Sequence, residues 1–550
     1  MSEVLNSYAL PVALALLGLA GAYLMVRLLF LPLRSVREGI ACAREPSTDD
    51  RLAAPWGALC LTTGATAAGV LSGTATAVVL GGPGAVFWVM LGGLLSMALR
   101  YVEASQAWHS RRFVGDGDRM SAGVAAGLRA LSVKAGRPLG FVYAALALLA
   151  AVAGLGALPA RQLGQDVEAS LGLPAVAVTA LVAIAALILS WRSSRDATRI
   201  ARAVVPVAMA VLGLALVIAS VRHAGRIPGA IGRIFGQAFE GGSPSAGFLG
   251  AFLGETIRQG LGRGLFTSSS LGIAASCHGG SGTATAHRAG LVASLEPLVA
   301  SVLLPLFVGI AVLTSRTWSS ADHATSVPLA DVRAFSTEPA SAAELTGSDI
   351  ALDGIIRVRE GQSYDRFTLT AGTQIVGEPR FELGGEPWDG AVKFVKGRVR
   401  GLMELRGTRK ALEDVDPGKA ERIMVTGDGP LFGIPLVGVA MEVVLPFRVG
   451  RWIGGAIALV LGLVAALALL VFLDSLGSGI AGLPASIGAR ILVAVAFALA
   501  PLVPSALAKD VLPWSLVLLV VPYVAALAIH ASRASADEDE PAARRPRKKR

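Results

Sequence analysis

Cysteine and charge are both scarce in this sequence. Its 550 residues include three cysteines, Cys42, Cys60 and Cys277, and none of them follows Leu313. The polar segment after Leu313 therefore has no disulfide framework, and the absence of CxxC spacing argues against a structural zinc site. Charged residues make up 16% of the chain, whereas soluble domains carry about 25%. This shortage of charge argues against a soluble protein.

Motifs for nucleotide hydrolysis and for catalysis are also missing. The sequence contains no GxxxxGK[ST] motif and no large soluble ATPase domain, so it does not encode a primary pump. We find no arrangement of nucleophile, base and acid, and we predict that the protein is not an enzyme. Cys277, His278 and His287 fit no standard metal site, and the surrounding GGSGT is typical of a loop. We therefore predict no metal centre and no bound cofactor.

Apolar residues and glycine are abundant instead. Hydrophobic residues make up 53% of the chain, there are 65 glycines, and the mean hydropathy is +0.62. This composition predicts an all-α polytopic membrane protein in which glycine serves close packing and broken helices. The apolar runs predict about eleven transmembrane helices, near residues 8–26, 56–80, 83–104, 139–158, 173–191, 203–221, from 246 onward, 289–313, 452–473, 487–507 and 511–529.

Basic residues predict the orientation of these spans. Four arginines lie between residues 27 and 44, after the first span, and a basic tail at 544–550 follows the last span. Because loops rich in Arg and Lys stay in the cytoplasm, we predict a multi-pass protein of the inner (plasma) membrane with its N-terminus outside and its C-terminus in the cytoplasm. The loop 222–245 is an exception, since it holds three arginines and falls outside by the span count. This distribution explains the net charge of +10 without a nucleic-acid partner.

The chain divides into four parts by composition. Residues 1–314 hold the first eight spans, 448–532 hold spans nine to eleven, and 533–550 form a charged cytoplasmic tail. Residues 315–447 are polar and contain alternating runs such as RFTLTAGTQIV, so we predict a small β-rich insert outside the membrane, which ends in a short interfacial or re-entrant segment. Gating, partner binding and stability all remain open as roles of this insert.

Two of the predicted spans are rich in glycine and hydroxyl side chains. They are the second span, near residues 56–80, and the seventh span, which contains a TSSS run at Thr267–Ser270. Glycine lowers the cost of unwinding a helix, and irregular backbone at membrane depth lines a cavity or is buried in protein. If the first span is set aside, the broken spans open two sets of five, which is typical of an inverted-repeat transporter. Tight helix packing by small residues is the alternative explanation.

Three segments of the chain resemble a known family. They are Gly57–Ser105 with GGPGAVFW, Glu255–Gly272 with IRQGLGRGLF, and HRAGLV at His287–Val292. Together they resemble the alanine or glycine:cation symporters. This resemblance implies a leucine-transporter-type fold of eleven helices, arranged as a 5+5 inverted repeat, and sodium-driven uptake of small neutral amino acids.

The sequence departs from that family at positions that matter for binding. Val70 stands where the family has an asparagine, and Ser268 and Ser269 stand where it has asparagine and glutamate. Ala157 and Ala160 stand where amide side chains are usual. An amide oxygen can bind sodium or substrate, whereas valine and alanine cannot.

Residues from both glycine-rich spans form the predicted substrate site. The substrate carboxylate would meet exposed amides at the N-terminus of a half-helix, and the ammonium would meet carbonyls or hydroxyls. Bonding of each hydroxyl back to its own helix is the alternative. The predicted substrate-binding residues are Thr66, Gly69, Ser72 and Gly73, which face Phe266, Thr267, Ser268 and Ser269.

Four ionisable residues lie within or at the edge of apolar spans and are therefore functional candidates: Glu103, Glu255, Arg258 and Glu296. We predict a role in cation coupling for Glu255 and Glu296, with a proton replacing sodium as one possibility. Arg258 lies three residues after Glu255 on the same helix face, so a purely structural ion pair is the alternative there.

Two functions from different classes remain at this stage. The first is a secondary active transporter that carries a small neutral amino acid, such as alanine or glycine, together with sodium or a proton by alternating access. The second is a non-transporting relative that acts as a membrane scaffold or sensor for the extracytoplasmic insert. The retained glycines favour the first, and Val70, Ser268 and Ser269 favour the second. In either case the lipid bilayer is a partner, and sodium is the one ion that the family leads us to expect.

Overall fold

In the described residues, groups of helices precede and follow a segment of strands. The computed structural model describes residues 8–114, 119–129, 136–189, 194–239, 255–319, 323–335, 352–363, 367–371, 374–406, 411–415, 420, 422–429, 431–442, 449–480, 483–503, 507–508 and 511–539. From residue 540 onward, the predicted charged tail lies outside this part of the structure.

Fifteen helices precede the main sheet in the described residues, together with a two-stranded hairpin of β1 Arg112–Val114 and β2 Arg119–Ser121. The helices are α1 Leu10–Arg27, α2 Leu31–Arg34, α3 Val36–Arg44, α4 Pro55–Gly81, α5 Ala85–Ser110, α6 Val124–Arg129, α7 Gly136–Val152, α8 Leu158–Leu171, α9 Ala175–Leu189, α10 Ser194–Val221, α11 Ile227–Gly236, α12 Glu255–Ser269, α13 Ile273–Gly279, α14 Ala286–Pro297 and α15 Leu304–Ser315.

Two π-helical stretches join neighbouring helices into longer ones. Ala153–Ala157 joins α7 to α8, and Leu298–Leu303 joins α14 to α15. As a result, the fourth predicted span does not end near residue 158, because the helix continues to Leu171. Single π turns inside α-helices are frequent at functional sites.

Eight helices in the described residues are long and apolar enough to cross a membrane. They are Leu10–Arg27, Pro55–Gly81, Ala85–Ser110, Gly136–Leu171, Arg195–Val221, Ala286–Ser315, Val449–Leu476 and Leu512–Ala531. Three shorter apolar helices are Ala175–Leu189, Gly433–Glu442 and Ile487–Leu502. The prediction of a largely helical, multi-pass membrane protein is confirmed, while the count of eleven spans and the 5+5 repeat stay predictions.

The second predicted span is not broken, which corrects the expectation of two broken helices. Helix α4 runs without interruption from Pro55 to Gly81. Its small residues allow close packing: a Cβ placed on Gly64 would lie 2.7 Å from Val205 Cγ2 on α10. The Thr76 hydroxyl donates to the Ser72 carbonyl one turn earlier, at 2.9 Å. Tight packing by small residues, the alternative weighed for this stretch, is therefore what the structure shows.

The seventh predicted span does contain a break. A short 3₁₀ turn at Ser270–Gly272 separates α12 from α13, with Leu271 at φ 45° and Gly272 at φ 109°. The Tyr143 hydroxyl on α7 donates to the Leu271 carbonyl at 2.8 Å. A side chain at Gly272 would be strained at this φ, and its Cβ would lie 2.2 Å from that same hydroxyl oxygen. The expected start of this span, near residue 246, lies outside the described residues.

A separate β-rich region occupies the polar segment. Its described strands form an antiparallel sheet in the order β3-β13-β8-β7-β4-β11-β10-β5-β6, with β12 paired to β11 and β9 paired to β8. This region has its own apolar core, which includes Phe381, Trp388 and Phe394. The strands are β3 His323–Pro328, β4 Val332–Phe335, β5 Gly354–Arg359, β6 Gln362–Ser363, β7 Thr368–Ala371, β8 Gln374–Leu383, β9 Glu386–Pro387, β10 Gly390–Val395, β11 Arg398–Arg406, β12 Ala411–Val415 and β13 Ile423–Gly429.

Four described helices follow the sheet. They are α16 Gly433–Glu442, α17 Val449–Ile480, α18 Leu483–Leu499 and α19 Leu512–Asp539. The segment predicted as interfacial forms α16, and its residues from Gly433 to Met441 are buried against α17, α4 and α8. Neighbouring helices therefore cover this short helix. Phe432 packs against both the membrane-helix core and the core of the β-rich region, so it joins the two.

Candidate functional site

Helices α4 and α12 approach each other at two glycines of the predicted substrate site. A Cβ placed on Gly69 would lie 3.2 Å from Thr267 Cγ2, and one placed on Gly73 would lie 3.6 Å from Arg263 Cδ. Phe266 is partly buried and packs against the membrane-helix core. The structure thus brings Gly69 and Gly73 to the helix that carries Phe266 and Thr267.

The hydroxyl groups of the predicted site have different partners. Thr267 Oγ1 donates to the Arg263 carbonyl one turn earlier on its own helix, so this hydroxyl follows the alternative of bonding locally. Thr66 Oγ1 instead donates to Glu296 Oε1 on α14. Thr66 is therefore tied to a buried carboxylate and not to its own backbone.

Ser72 lies beside a buried carboxylate that sequence reasoning missed. Asp166 on α8 is 4% exposed, and its Oδ1 accepts a hydrogen bond from Gln162 Nε2 at 3.0 Å. Asp166 Oδ1 and Ser72 Oγ both lie close to Gly433. A Cβ placed on that glycine would be 2.3 Å from Asp166 Oδ1 and 2.8 Å from Ser72 Oγ. Gly433 has φ 61° and begins α16, so the carboxylate lies at a helix N-terminus, where the helix dipole favours negative charge.

The signal for Asp166 was present in the sequence. Leu163 and Val167, both buried in the structure, are four residues apart and flank the carboxylate. This spacing indicates that a helix continues beyond residue 158. The predicted fourth span ends near residue 158, which places Asp166 in a loop.

Glu296 belongs to a buried charge network, which we define by Arg100, Glu103, Glu296, Thr66, Tyr523 and the Ala275 amide. Arg100 Nη2 lies 2.8 Å from Glu296 Oε1, and Arg100 Nη1 lies 3.4 Å from Glu103 Oε2. The side chains of all three ion-pairing residues are 0% exposed.

Three neutral groups complete the buried charge network. The Tyr523 hydroxyl donates to Glu103 Oε2 at 3.1 Å, and the Ala275 amide donates to Glu103 Oε1 at 3.1 Å. With Thr66, the network joins five helices, namely α4, α5, α13, α14 and α19. Because Glu103 accepts a hydrogen bond from the Ala275 amide in the first turn of α13, this amide already has a protein partner.

The other predicted residues are only partly described. Glu255 begins α12, but its side chain and those of Ser268 and Ser269 lie outside the described part of the structure. Sequence reasoning named Glu103 among the ionisable residues of apolar spans but overlooked Arg100, although the two are three residues apart on one helix face. Among the described residues, no group of three or more His, Cys, Asp or Glu side chains could hold a metal ion.

Comparison with known proteins gives a consistent result. The model of the sodium:alanine symporter family matches residues 1–345. An uncharacterised transporter of Haemophilus influenzae is 28% identical over 324 residues, which are 56% of this chain and 68% of that protein. A sodium/alanine symporter of Methanococcus maripaludis is 31% identical over 47% of this chain and 57% of its own. A sodium/proton-dependent alanine carrier of Bacillus sp. strain PS3 is 29% identical over 44% of this chain and 54% of its own. The matched part thus spans between 54% and 68% of these relatives.

Proposed function

The chain belongs to the sodium:alanine symporter family, and from this premise we propose that it is a secondary transporter that carries a small neutral amino acid, such as alanine or glycine, together with a cation. The proposal extends to alternating access, with sodium or a proton as the coupling ion and no other cofactor. Named relatives in the comparison are transporters and carriers, not enzymes.

We place the substrate between α4, α8 and α12, near Gly69, Ser72 and Gly73. The observation that carries this placement is the convergence of Ser72 and Asp166 on the first residue of α16. A buried carboxylate with a nearby hydroxyl suits an ammonium group, because a buried charge needs an opposite charge or hydrogen-bond donors. Asp166 Oδ2 has no hydrogen-bond partner among the described residues, so it remains available for such a group.

Arg263 suits the substrate carboxylate. Its side chain lies along Gly73, and its positive charge acts on Asp166. A zwitterion has one charge of each sign, so a carboxylate and a guanidinium on opposite sides of it would bind both ends. The close approach of Gly69 to Thr267 limits the room beside this pair. Such a site favours amino acids with small side chains.

We further propose that the β-rich region lies outside the cell membrane on the same side as the N-terminus, with boundaries near residues 315 and 447. The remaining chain would then comprise spans one to eight before it and spans nine to eleven after it. The arginines between residues 27 and 44 support this orientation, because they would lie in the cytoplasm.

Uptake into proteoliposomes tests the function. Labelled alanine or glycine is supplied with an imposed sodium gradient, an imposed proton gradient, or neither. The Asp166→Asn variant should lose about 10-fold or more of the wild-type uptake, because an ammonium–carboxylate pair in a buried site is worth at least about 1.4 kcal/mol. Glu168→Gln is the matched control, since Glu168 lies on the same helix and is exposed.

Two results would contradict the proposal. Folded protein that neither takes up nor exchanges any small neutral amino acid would favour the scaffold or sensor role. Equal uptake by wild type and Asp166→Asn would remove Asp166 from the substrate site.

A further inference from the structure

We propose that Glu103 and Glu296 share one bound proton in the buried charge network, and that this proton is the coupling cation of transport. The inference rests on the proposed transport function and deepens it, since it names the ion and the residues that bind it. The residues involved are not those of the proposed substrate site.

The first argument is the charge of the network. Arg100 contributes one positive charge, while Glu103 and Glu296 would contribute two negative charges if both were ionised. All three side chains are fully buried. A buried net charge is strongly unfavourable, and a buried acid commonly takes up a proton in response. One proton makes the network neutral.

The second argument comes from the remaining groups around the carboxylates. Thr62 and Thr66 face them from α4, Cys277 and His278 belong to α13, and Tyr523 comes from α19. Threonine, cysteine and tyrosine side chains are uncharged near neutral pH. Among these described groups, only the histidine could therefore supply a second positive charge.

His278 is in a poor position to carry that charge. Its Nε2 lies 3.3 Å from the Thr62 hydroxyl, while its buried Nδ1 has no hydrogen-bond partner among the described residues. A positively charged imidazole would leave a buried N–H donor unsatisfied, which is costly. Tyr143, the further titratable group on this side, donates its proton to the Leu271 carbonyl from α7 and adds no positive charge.

The third argument concerns which cation the network would bind, a proton or a metal ion. Arg100 Nη2 lies 2.8 Å from Glu296 Oε1, and Nη1 lies 3.4 Å from Glu103 Oε2. A sodium ion between these carboxylates would be repelled by the guanidinium at short range. A proton needs only one oxygen, and Glu296 Oε2 is buried without a hydrogen-bond partner in the described structure. The network therefore fits a proton better than sodium.

The network also connects the proton to the moving parts of a transporter. The Ala275 amide, which donates to Glu103 Oε1, lies just after the break at Leu271–Gly272. A hydrogen bond to an ionised carboxylate is about twice as strong as one to a neutral group. Protonation at Glu103 would weaken its hold on α13, whereas protonation at Glu296 would weaken its bond to Thr66 on α4. Proton binding and release thus act on α4, which lies against the proposed substrate, and on α13, which follows the break after α12.

Infrared spectroscopy tests the proton site without any transport measurement. Purified wild-type protein at neutral pH should show the carbonyl stretch of a protonated carboxyl group, and both Glu103→Gln and Glu296→Gln should lose it. Each variant leaves one carboxylate opposite one guanidinium, so the remaining acid ionises. Glu45→Gln is the control, because Glu45 pairs with Arg288 of α14 outside the network. If the wild-type spectrum lacks this band, the proton site is refuted. If both variants keep the band unchanged, the site is refuted as well.

Transport measurements test the coupling. With the membrane potential clamped, a gradient of one pH unit should support about 10-fold accumulation at one proton per substrate. Glu103→Gln and Glu296→Gln should keep exchange of labelled alanine across the membrane but lose this accumulation, while Glu45→Gln behaves as wild type. If both variants keep proton-driven accumulation unchanged, the coupling role is refuted. It is also refuted if the wild-type protein accumulates substrate only with a sodium gradient. Wild type that exchanges no substrate but keeps the infrared band would instead contradict the transport function and leave the proton site in place.

Discussion

At the residue scale, single side chains and single glycines define the two sites. Asp166 reaches the start of α16, and Arg100 holds two carboxylates from neighbouring helices. Gly272 permits the break between α12 and α13, because it has φ 109° and lies against the Tyr143 hydroxyl. Small changes at these positions should have large effects, since each contact is buried and has no room to adjust.

Gly272→Ala should destabilise the protein by about 1–3 kcal/mol, because the substituted residue would be strained at a positive φ and its Cβ would clash with Tyr143. The thermal unfolding midpoint in detergent measures this effect. Gly213→Ala is the matched control, since Gly213 lies within α10 and has nothing within 4 Å of its Cβ position. Equal midpoints for the two variants would contradict the strained turn.

Cys42 should react slowly with maleimides in the folded protein. Burial raises the pKa of the Cys42 thiol above its ordinary value, and the nearby Glu45 raises it further. A raised pKa lowers the fraction of reactive thiolate at neutral pH. The labelling rate should therefore continue to increase at pH values above the ordinary pKa of a thiol. The exposed Ile40→Cys on the same helix provides the comparison, with rates followed by mass spectrometry. Equal rates at the two positions would refute the prediction.

At the element scale, the two glycine-rich spans behave differently although their compositions are similar. Helix α4 stays continuous because its glycines and alanines pack against α10, α12 and α17. The seventh span breaks because Tyr143 from α7 satisfies a carbonyl at the turn. Glycine therefore permits a break, and the neighbouring helix decides whether one forms.

Hydrogen–deuterium exchange should distinguish the two helices. Amides of α4 between residues 64 and 76 should exchange slowly, because each lies inside a buried continuous helix. Amides next to the turn at Ser270–Gly272 should exchange faster than those of α4. Rapid exchange around Gly69 and Gly73 would show instead that this stretch unwinds in solution.

At the scale of the whole molecule, the β-rich region is followed closely in the chain by a helix that meets the proposed substrate site. Strand β13 leads into Phe432 and then into α16, whose first residue meets Ser72 and Asp166. Strand β13 ends at Gly429, four residues before Gly433 at the proposed substrate site.

Labelling in intact cells tests the proposed orientation. Lys393→Cys, on an exposed position of β10, should react with a maleimide that cannot cross the membrane, whereas Arg37→Cys should react only after permeabilisation. The native Cys42, Cys60 and Cys277 are buried and give a low background. Labelling of Arg37→Cys alone in intact cells would reverse the assigned orientation.

The sequence by itself determined the features that depend on local composition. Apolar runs located most of the membrane helices, the alternation after Leu313 indicated strands, and GGPGAVFW with IRQGLGRGLF pointed to the family. These signals are readable because burial in lipid and strand formation each leave a pattern within about 20 consecutive residues. Glu296 was a candidate on the same basis, as an ionisable residue in an apolar span.

Only the tertiary structure decided which of these residues meet. Arg100 and Glu296 are 196 residues apart, and Asp166 reaches α16 across almost half of the chain. No local pattern encodes such contacts, because they depend on how helices cross. The same reason explains the wrong expectation for α4: whether a glycine-rich stretch unwinds depends on partners that other helices supply for its freed backbone groups. Tyr143 supplies such a partner at Leu271, while close packing keeps α4 helical.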